Sequence, residues 1–151
     1  MCSHGPPTYL LLSLRFPLAV TLTAPASMTF RGFLILARPF GADGSTNFLG
    51  TWDTMNSPDV QLACANDGGI THRNGTDKTL ISAQWTAPPL GSGNIEFRFA
   101  VVQVRTTHWA NQLGPVLADP TAIATGSAPP TSVGTKLFLG ICATVLLVLS
   151  L

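Results

Sequence analysis

The residue in this chain whose type and spacing most clearly predict chemistry is an asparagine in an acceptor motif for N-linked glycans. Asn74-Gly75-Thr76 fits the pattern Asn-x-Ser/Thr, whereas Asn56-Ser57-Pro58 fails because no Ser or Thr stands two places on. Asn74 is therefore predicted to carry a glycan if the chain enters the secretory pathway. The alternative is an ordinary Asn-Gly turn.

Cysteine chemistry is the second possibility, with thiols at Cys2, Cys64 and Cys142. Only the first two lie outside the apolar C-terminal run, so a disulfide between Cys2 and Cys64 is the simplest interpretation. A buried free thiol at Cys64 is the alternative. No CxxC pair or Cys/His cluster is present, which argues against a zinc site or a dithiol redox centre.

The remaining patterns favour a protein without catalysis. His4, His72 and His108 are isolated in sequence from other ligands, so solvated or hydrogen-bonded histidines are expected rather than metal ligands. The chain has no G-x-S-x-G elbow, phosphate loop or dinucleotide fingerprint. We therefore expect no enzyme, and no catalytic, cofactor-binding or metal-binding residue.

Charge offers one further binding hypothesis. Arg31, Arg38, Arg98 and Arg105 flank or interrupt apolar segments and could form a basic strip for an acidic ligand. The favoured interpretation is a solvent face whose charges discourage aggregation of strand edges. Eight Lys plus Arg against seven Asp plus Glu, without a run of like charge, argue against binding to nucleic acid.

The elements that must position these residues have the period of two that is typical of β-strands. Residues 94–104 alternate apolar side chains with Glu96 and Arg98, so we expect these two charges to face water. Residues 79–87 alternate likewise, and a Gly-Ser-Gly turn predicts that the two segments pair as antiparallel neighbours. Residues 30–38 are apolar on both faces in their middle, as expected of a central strand.

Shorter strands are predicted at residues 18–23, 48–52 and 60–64, and no long helical stripe precedes the tail. This pattern predicts an all-β antiparallel β-sandwich over residues 1–112, with its core around Trp85, Phe97 and Phe99.

The C-terminal part differs in composition. Residues 113–136 are rich in Gly, Pro, Ala, Thr and Ser and are predicted to form an extended stalk. Residues 137–151 are uncharged and predicted to be a hydrophobic helix, short against the ~20 residues of a usual span. Small residues, a spacer and this tail form the layout of a glycosylphosphatidylinositol signal, with attachment at Gly126 or Ser127.

Alternatives for the tail are a single span with Lys136 at the membrane interface, a buried helix, or the product of an unusual transcript. A lipid anchor or a single span would place the domain on the extracellular face of the plasma membrane. Secretion is the alternative. At the other end, residues 9–26 imitate a signal peptide, but Arg15 and Pro17 interrupt the apolar run. We expect the true leader to be missing or upstream, with a signal at residues 1–26 as the alternative.

Several blocks, taken in order, resemble the reelin-domain (reeler) family over roughly residues 2–112. They are residues 30–38 (FRGFLILAR), 50–52 (GTW), 61–64 (QLAC), 71–79 (THRNGTDKT), 85–88 (WTAP) and 101–103 (VVQ), followed by Trp109. Their order is far more specific than any single block.

The resemblance implies an immunoglobulin-like sandwich in which the family's first cysteine, here Cys2, pairs with the cysteine of the 61–64 block, Cys64. The segment before Val20-Thr21-Leu22 is shorter than usual, so the N-terminal strand is expected to be incomplete. Family members include secreted defence-type proteins, extracellular matrix proteins and ferric-chelate reductase-like membrane proteins.

The expected function is accordingly a non-enzymatic, membrane-tethered extracellular binding module without a cofactor. Its expected partner is an extracellular protein, a glycan or a microbial-surface ligand. The alternative is an innate-defence protein, and a weaker one is an accessory fragment of a ferric-chelate reductase-like protein.

Overall fold

Alternating apolar residues give this chain a β-only architecture. The computed structural model describes residues 9–11, 17–42, 46–63, 68–121 and 144–148, and all the regular elements within them are strands. The strands are β1 (Tyr9–Leu11), β2 (Leu18–Thr23), β3 (Gly32–Pro39), β4 (Thr51–Asp53), β5 (Val60–Ala63), β6 (Gly69–His72), β7 (Leu80–Thr86), β8 (Ile95–Val104), β9 (Thr107–Ala118) and β10 (Thr144–Val148).

The strands form two sheets. The larger has the order β1-β9-β8-β3-β6-β5 and the smaller the order β10-β2-β7-β4. Pairing is antiparallel except where β1 lies beside β9 and β10 beside β2, which are parallel. The prediction of an all-β sandwich is therefore confirmed.

Strand β3 lies in the middle of the larger sheet, between β8 and β6. Phe33, Ile35 and Ala37 point into the core and are almost fully buried. Leu34 and Leu36, on the opposite face, are half-buried. The predicted central strand is confirmed, and its ladder with β8 ends at Pro39.

Aromatic side chains from both sheets meet in the centre of the core. The rings of Trp85 and Phe97 are 5.1 Å apart at 77°, and Trp52 lies 6.1 Å from Phe97. The indole nitrogen of Trp85 donates to the carbonyl of Leu49 at 3.0 Å. Together with the buried Phe99, these residues confirm the predicted core centre.

The predicted pairing of residues 79–87 with residues 94–104 is wrong. Strand β7 pairs with β2 and β4, whereas β8 pairs with β3 and β9 in the other sheet. The connection between β7 and β8 crosses from one sheet to the other, and Pro88 and Pro89 in it have no N–H with which to continue a ladder. Alternation predicts which face of a strand is buried, but it does not select the partner strand.

Strand β9 runs six residues past the expected domain end at residue 112, so Leu113–Ala118 belongs to the sheet. Val116 and Leu117 are buried there. In the predicted tail helix, residues 137–143 and 149–151 lie outside the described residues, and Thr144–Val148 pairs with β2 as a strand. Within the part of the chain that the structure describes, no helix is long and apolar enough to cross a membrane.

The connections gather at two opposite ends of the sandwich. The end where the chain leaves β9, called the exit end, comprises residues 40–42, 46–50, 87–94 and 119–121. The other, called the distal end, comprises residues 24–31, 54–59, 73–79 and 105–106.

Candidate functional site

Glu96 is a buried charge that forms ion pairs with two arginines, and it lies opposite Arg38 in the β3–β8 register. Its Oε1 accepts from Nε of Arg38 at 3.0 Å and from Nε of Arg98 at 2.7 Å, and only 1 % of its side chain is exposed. Burial alone would raise the pKa of Glu96, but the hydrogen bonds from Arg98 and Arg38 and the N–H of Gly41 bring the pKa below its ordinary value.

Glu96 and Arg98 were predicted to face water, and for Glu96 this is wrong. The end of β3 and the chain at Gly41 enclose the carboxylate, and the two arginines neutralise it. A strand residue on the outer face of a sheet is exposed only when nothing folds over it. Because the pKa of Glu96 is lowered and both arginines pair with it, the carboxylate is ionised and forms an ion pair between β3 and β8.

The four arginines do not form the basic strip considered from the sequence. Arg38 and Arg98 are tied to Glu96. Arg31 donates to Asp77 at 2.7 Å at the distal end, where more than half of each side chain is exposed. The hydrogen bond from Arg31 lowers the pKa of Asp77. Arg105 lies exposed in the β8–β9 turn.

A buried lysine organises the loop that contains the glycosylation motif. Nζ of Lys78 lies 2.9 Å from both the carbonyl oxygen and Oδ1 of Asn74, 2.8 Å from the carbonyl of Thr76, and 3.9 Å from a carboxylate oxygen of Asp59. Only 2 % of the Lys78 side chain is exposed. The loop is thus folded around an ammonium group.

Asn74 itself is half-buried, and both the nitrogen and the oxygen of its side-chain amide form hydrogen bonds. Nδ2 donates to the carbonyl of Pro58 at 3.2 Å and to Oδ1 of Asp59 at 3.0 Å, while Oδ1 accepts from Thr76 Oγ1 at 2.5 Å. The sequence motif predicted a surface turn, and the structure places it in a hydrogen-bonded loop of the distal end. Glycosylation of Asn74 stays a prediction.

The histidines do not converge on a metal site in the described region. Nδ1 of His72 lies 3.3 Å from the backbone nitrogen of Phe33, and its ring covers Gly32 on β3. His108 is exposed on β9, and His4 lies outside the described residues. Among the residues that the structure describes, no three His, Cys, Asp or Glu side chains are grouped as metal ligands.

Asp119, which the sequence placed in a stalk, is fully buried at the exit end. One of its oxygens accepts from the backbone nitrogens of Gly91 and Gly93 at 2.8 and 3.0 Å, and the other accepts from the nitrogen and hydroxyl of Thr121 at 2.9 and 2.7 Å. The hydrogen bond from Thr121 is the largest cause of its lowered pKa. Asp119 thereby fastens the β7–β8 connection to the end of β9.

Cys2 and Cys64, the predicted disulfide pair, and Gly126 and Ser127, the predicted lipid-attachment residues, lie outside the described residues. The disulfide and the anchor therefore stay predictions.

Among the connections that the structure describes, exposed charge lies at the distal end. The distal end exposes Arg31, Arg73 and Arg105 together with Asp77. At the exit end, the described residues hold one ionisable side chain, the buried Asp119. The distal end is therefore the better candidate for a charged binding surface.

The two sheets pack on an aromatic core, buried ionic groups lie within the domain, and charged connections lie at one end. This arrangement defines an immunoglobulin-like β-sandwich domain. The chain belongs to the reeler domain family, whose pattern matches residues 13–125. The family resemblance drawn from the sequence is thereby confirmed.

Relatives of known name are of three kinds. The chain is 36% identical over 81 residues to defense protein 3 of Antheraea mylitta, covering 53% of this chain and 47% of that protein. It is 34% identical over 97 residues to ferric-chelate reductase 1 of Danio rerio, covering 61% and 16%. It is 28% identical over 95 residues to Spondin-1 of Gallus gallus, covering 62% and 12%. The chain therefore spans less than half the length of each.

Solved structures share the fold. The chain is similar to two crystal structures of the human F-spondin reeler domain. One matches with a TM-score of 0.64 at 21% identity, covering 79% of this chain and 99% of that one. The other matches with a TM-score of 0.56 at 23% identity, covering 75% and 72%.

Proposed function

We propose that this chain is a non-enzymatic extracellular binding module that presents its distal end to an acidic ligand. The observation that carries this proposal is the exposure of Arg73 and Arg105 at that end. Neither forms an ion pair with any residue that the structure describes, whereas Arg31 is partly neutralised by Asp77. An acidic glycan or an acidic protein segment would complement these two guanidinium groups.

The test is binding of the full chain to a surface of sulfated polysaccharide at several salt concentrations. Replacing both residues (R73A/R105A) should weaken binding about tenfold, because two exposed charge contacts of about 0.7 kcal/mol each are lost. Thr46→Ala changes an exposed residue at the exit end and serves as the control. Equal binding by the double variant and the wild type would disprove the role of the distal end.

Attachment to a membrane is the second part of the proposal. A lipid-anchor signal is supported by the small residues from Gly126 to Ala128, by the spacer that follows them and by the apolar tail. The chain leaves β9 at the exit end, so attachment at Gly126 or Ser127 would leave the distal end facing away from the membrane. Cleavage there would remove Thr144–Val148, and the mature domain would lack β10. Expression in animal cells followed by phosphatidylinositol-specific phospholipase C tests this. Release supports the lipid anchor, and retention at the surface supports a membrane span.

A disulfide between Cys2 and Cys64 belongs to the same extracellular proposal. It is supported by the family resemblance of the sequence around both residues. Peptide mapping without reduction would detect a cross-linked pair, and alkylation of both thiols in the native protein would exclude it.

A defence role is the alternative, favoured by the relative from Antheraea mylitta whose name describes a defense protein. It predicts that the chain binds bacterial envelope material. Binding to such material but not to sulfated polysaccharide would favour this alternative.

A further inference from the structure

The side-chain amide of Asn74 is a structural part of the distal end, and this limits its use as a glycan acceptor. Its oxygen accepts from the backbone nitrogen and hydroxyl of Thr76 and from Nζ of Lys78. Its nitrogen has two acceptors, the carbonyl of Pro58 and Oδ1 of Asp59. An amide offers two N–H donors and one oxygen, so these contacts use its hydrogen-bonding capacity fully.

The same contacts join two connections of the chain. Two hydrogen bonds link residues 73–79 to residues 54–59. The Asn74 side chain donates to the Asp59 side chain, and the backbone nitrogen of Arg73 donates to the carbonyl of Asp59 at 2.9 Å. The isolated bridge between Phe30 and Lys78 fastens the second connection to the start of the larger sheet. The nitrogen of the Asn74 side-chain amide therefore faces Pro58 and Asp59, which accept its two hydrogens.

Glycan attachment changes this amide chemically. Nδ2 bonds to the anomeric carbon of a sugar carried on a lipid diphosphate, the bond from that carbon to the diphosphate oxygen breaks, and one amide proton leaves to a base of the transferase. The product keeps a single N–H and carries a sugar on the nitrogen. It can no longer donate to Pro58 and Asp59 with two separate hydrogens.

We propose that closure of the Asn74 loop and glycosylation of Asn74 exclude each other. The glycan enters only while the loop is open, and the folded domain protects the amide. The inference rests on the proposed extracellular route, because only there does the chain meet the transferase.

The experiment measures glycan occupancy of Asn74 in the full chain, expressed in animal cells behind a heterologous secretion leader. A reporter motif is added by I123N, which creates an acceptor upstream of the predicted anchor site and outside the described residues. Occupancy of Asn74 is expressed relative to this reporter, so that entry into the secretory pathway is measured within each molecule. Because the secretion leader is supplied, the test does not depend on how the chain enters the secretory pathway naturally.

Two variants open the loop while keeping the acceptor motif. K78M retains the apolar stem but removes the ammonium donors, and D59A removes one acceptor of the Asn74 nitrogen. D119N is the matched control, because it removes buried hydrogen bonds at the exit end and leaves the loop contacts intact. We expect low relative occupancy in the wild type and in D119N, and about tenfold more in K78M and D59A.

A second measurement separates loop opening from general misfolding. In the wild-type chain without the I123N reporter, molecules that carry the glycan at Asn74 are separated from unoccupied molecules with a lectin, and both fractions are melted. The glycan-bearing chains should melt at a lower temperature. Full occupancy in the wild type, an equal rise in D119N, or identical melting of the two fractions would each overturn the proposal.

Discussion

Replacing Asp119 by Asn should destabilise the domain, although the residue lies in a part of the chain whose composition predicts a stalk. The substitution preserves the shape but leaves one acceptor oxygen where the carboxylate has two. If the amide oxygen keeps the contacts to Gly91 and Gly93, the new NH₂ group faces the nitrogen and hydroxyl of Thr121. The hydroxyl can rotate and accept, but the Thr121 N–H cannot.

The magnitude follows from counting the bonds that change. Hydrogen bonds to a charged acceptor contribute about 1.5–3 kcal/mol, and neutral ones about 0.5–1.5 kcal/mol. Weakening the two glycine bonds and losing the one from the Thr121 nitrogen should lower the free energy of unfolding by about 2–3 kcal/mol. For a domain of this size, that corresponds to a fall in melting temperature of about 10 °C or more.

The pH dependence has a definite sign. The pKa of Asp119 is lowered in the folded state, mainly by the hydrogen bond from Thr121. Its stabilisation is therefore complete above the unfolded pKa of about 4, and it is lost as the pH falls through the folded pKa. The stability difference between wild type and D119N should stay constant from neutral pH to about pH 5 and shrink below it.

Thermal and urea unfolding of the full chain, followed by tryptophan fluorescence, provides the assay. D77A is the control, because Asp77 is exposed and its bond to Arg31 should contribute little. A D119N variant as stable as D77A at neutral pH would refute the reasoning, as would a difference that grows with acidification.

Two other substitutions probe the core and the buried charges. Gly50→Ala should prevent stable folding, because φ is +75° and a Cβ would lie 2.5 Å from the Trp85 ring; loss of the near-ultraviolet tryptophan signal would show it, and a native spectrum would contradict it. Glu96→Gln should cost about 3–5 kcal/mol because Arg38 and Arg98 keep their buried charge, and its stability should lose the acid dependence that the lowered pKa of Glu96 gives the wild type. Unfolding in urea at pH 7 and pH 4 measures this, and an unchanged midpoint at pH 7 would contradict it.

Sequence patterning predicts the faces of strands well in this chain. Ile81, Ala83 and Trp85 alternate with polar residues, and all three are buried. The sheet to which a strand belongs depends on how the connections cross the sandwich, and no local pattern records that. This is why β7 and β8 were paired wrongly although both strands were correctly located.

The charged residues show a second limit of sequence reasoning. Glu96 occupies a position that alternation assigns to solvent, and its burial depends on Gly41 and on arginines from two strands. Asp119 follows a segment rich in Gly and Pro, and its role appears only when Gly91 and Gly93 lie beside it. Family blocks marked residues 71–79 as a unit, but they did not show that Lys78 is the buried centre of that unit.

The topology has a consequence for how fast the chain folds. Most neighbouring strands in this sandwich are remote in sequence: Leu18 pairs with Trp85, and Gly32 pairs with Val102. Long loops must close before such contacts form, so folding on the timescale of milliseconds to seconds is expected, led by the local hairpin of β8 and β9. During synthesis, β7 must emerge before β2 has an antiparallel partner, and β3 lacks its partner β8 until later still, although β3, β6 and β5 can already pair with one another. Nascent chains are consequently most vulnerable to aggregation and to binding by chaperones before residue 104 has left the ribosome.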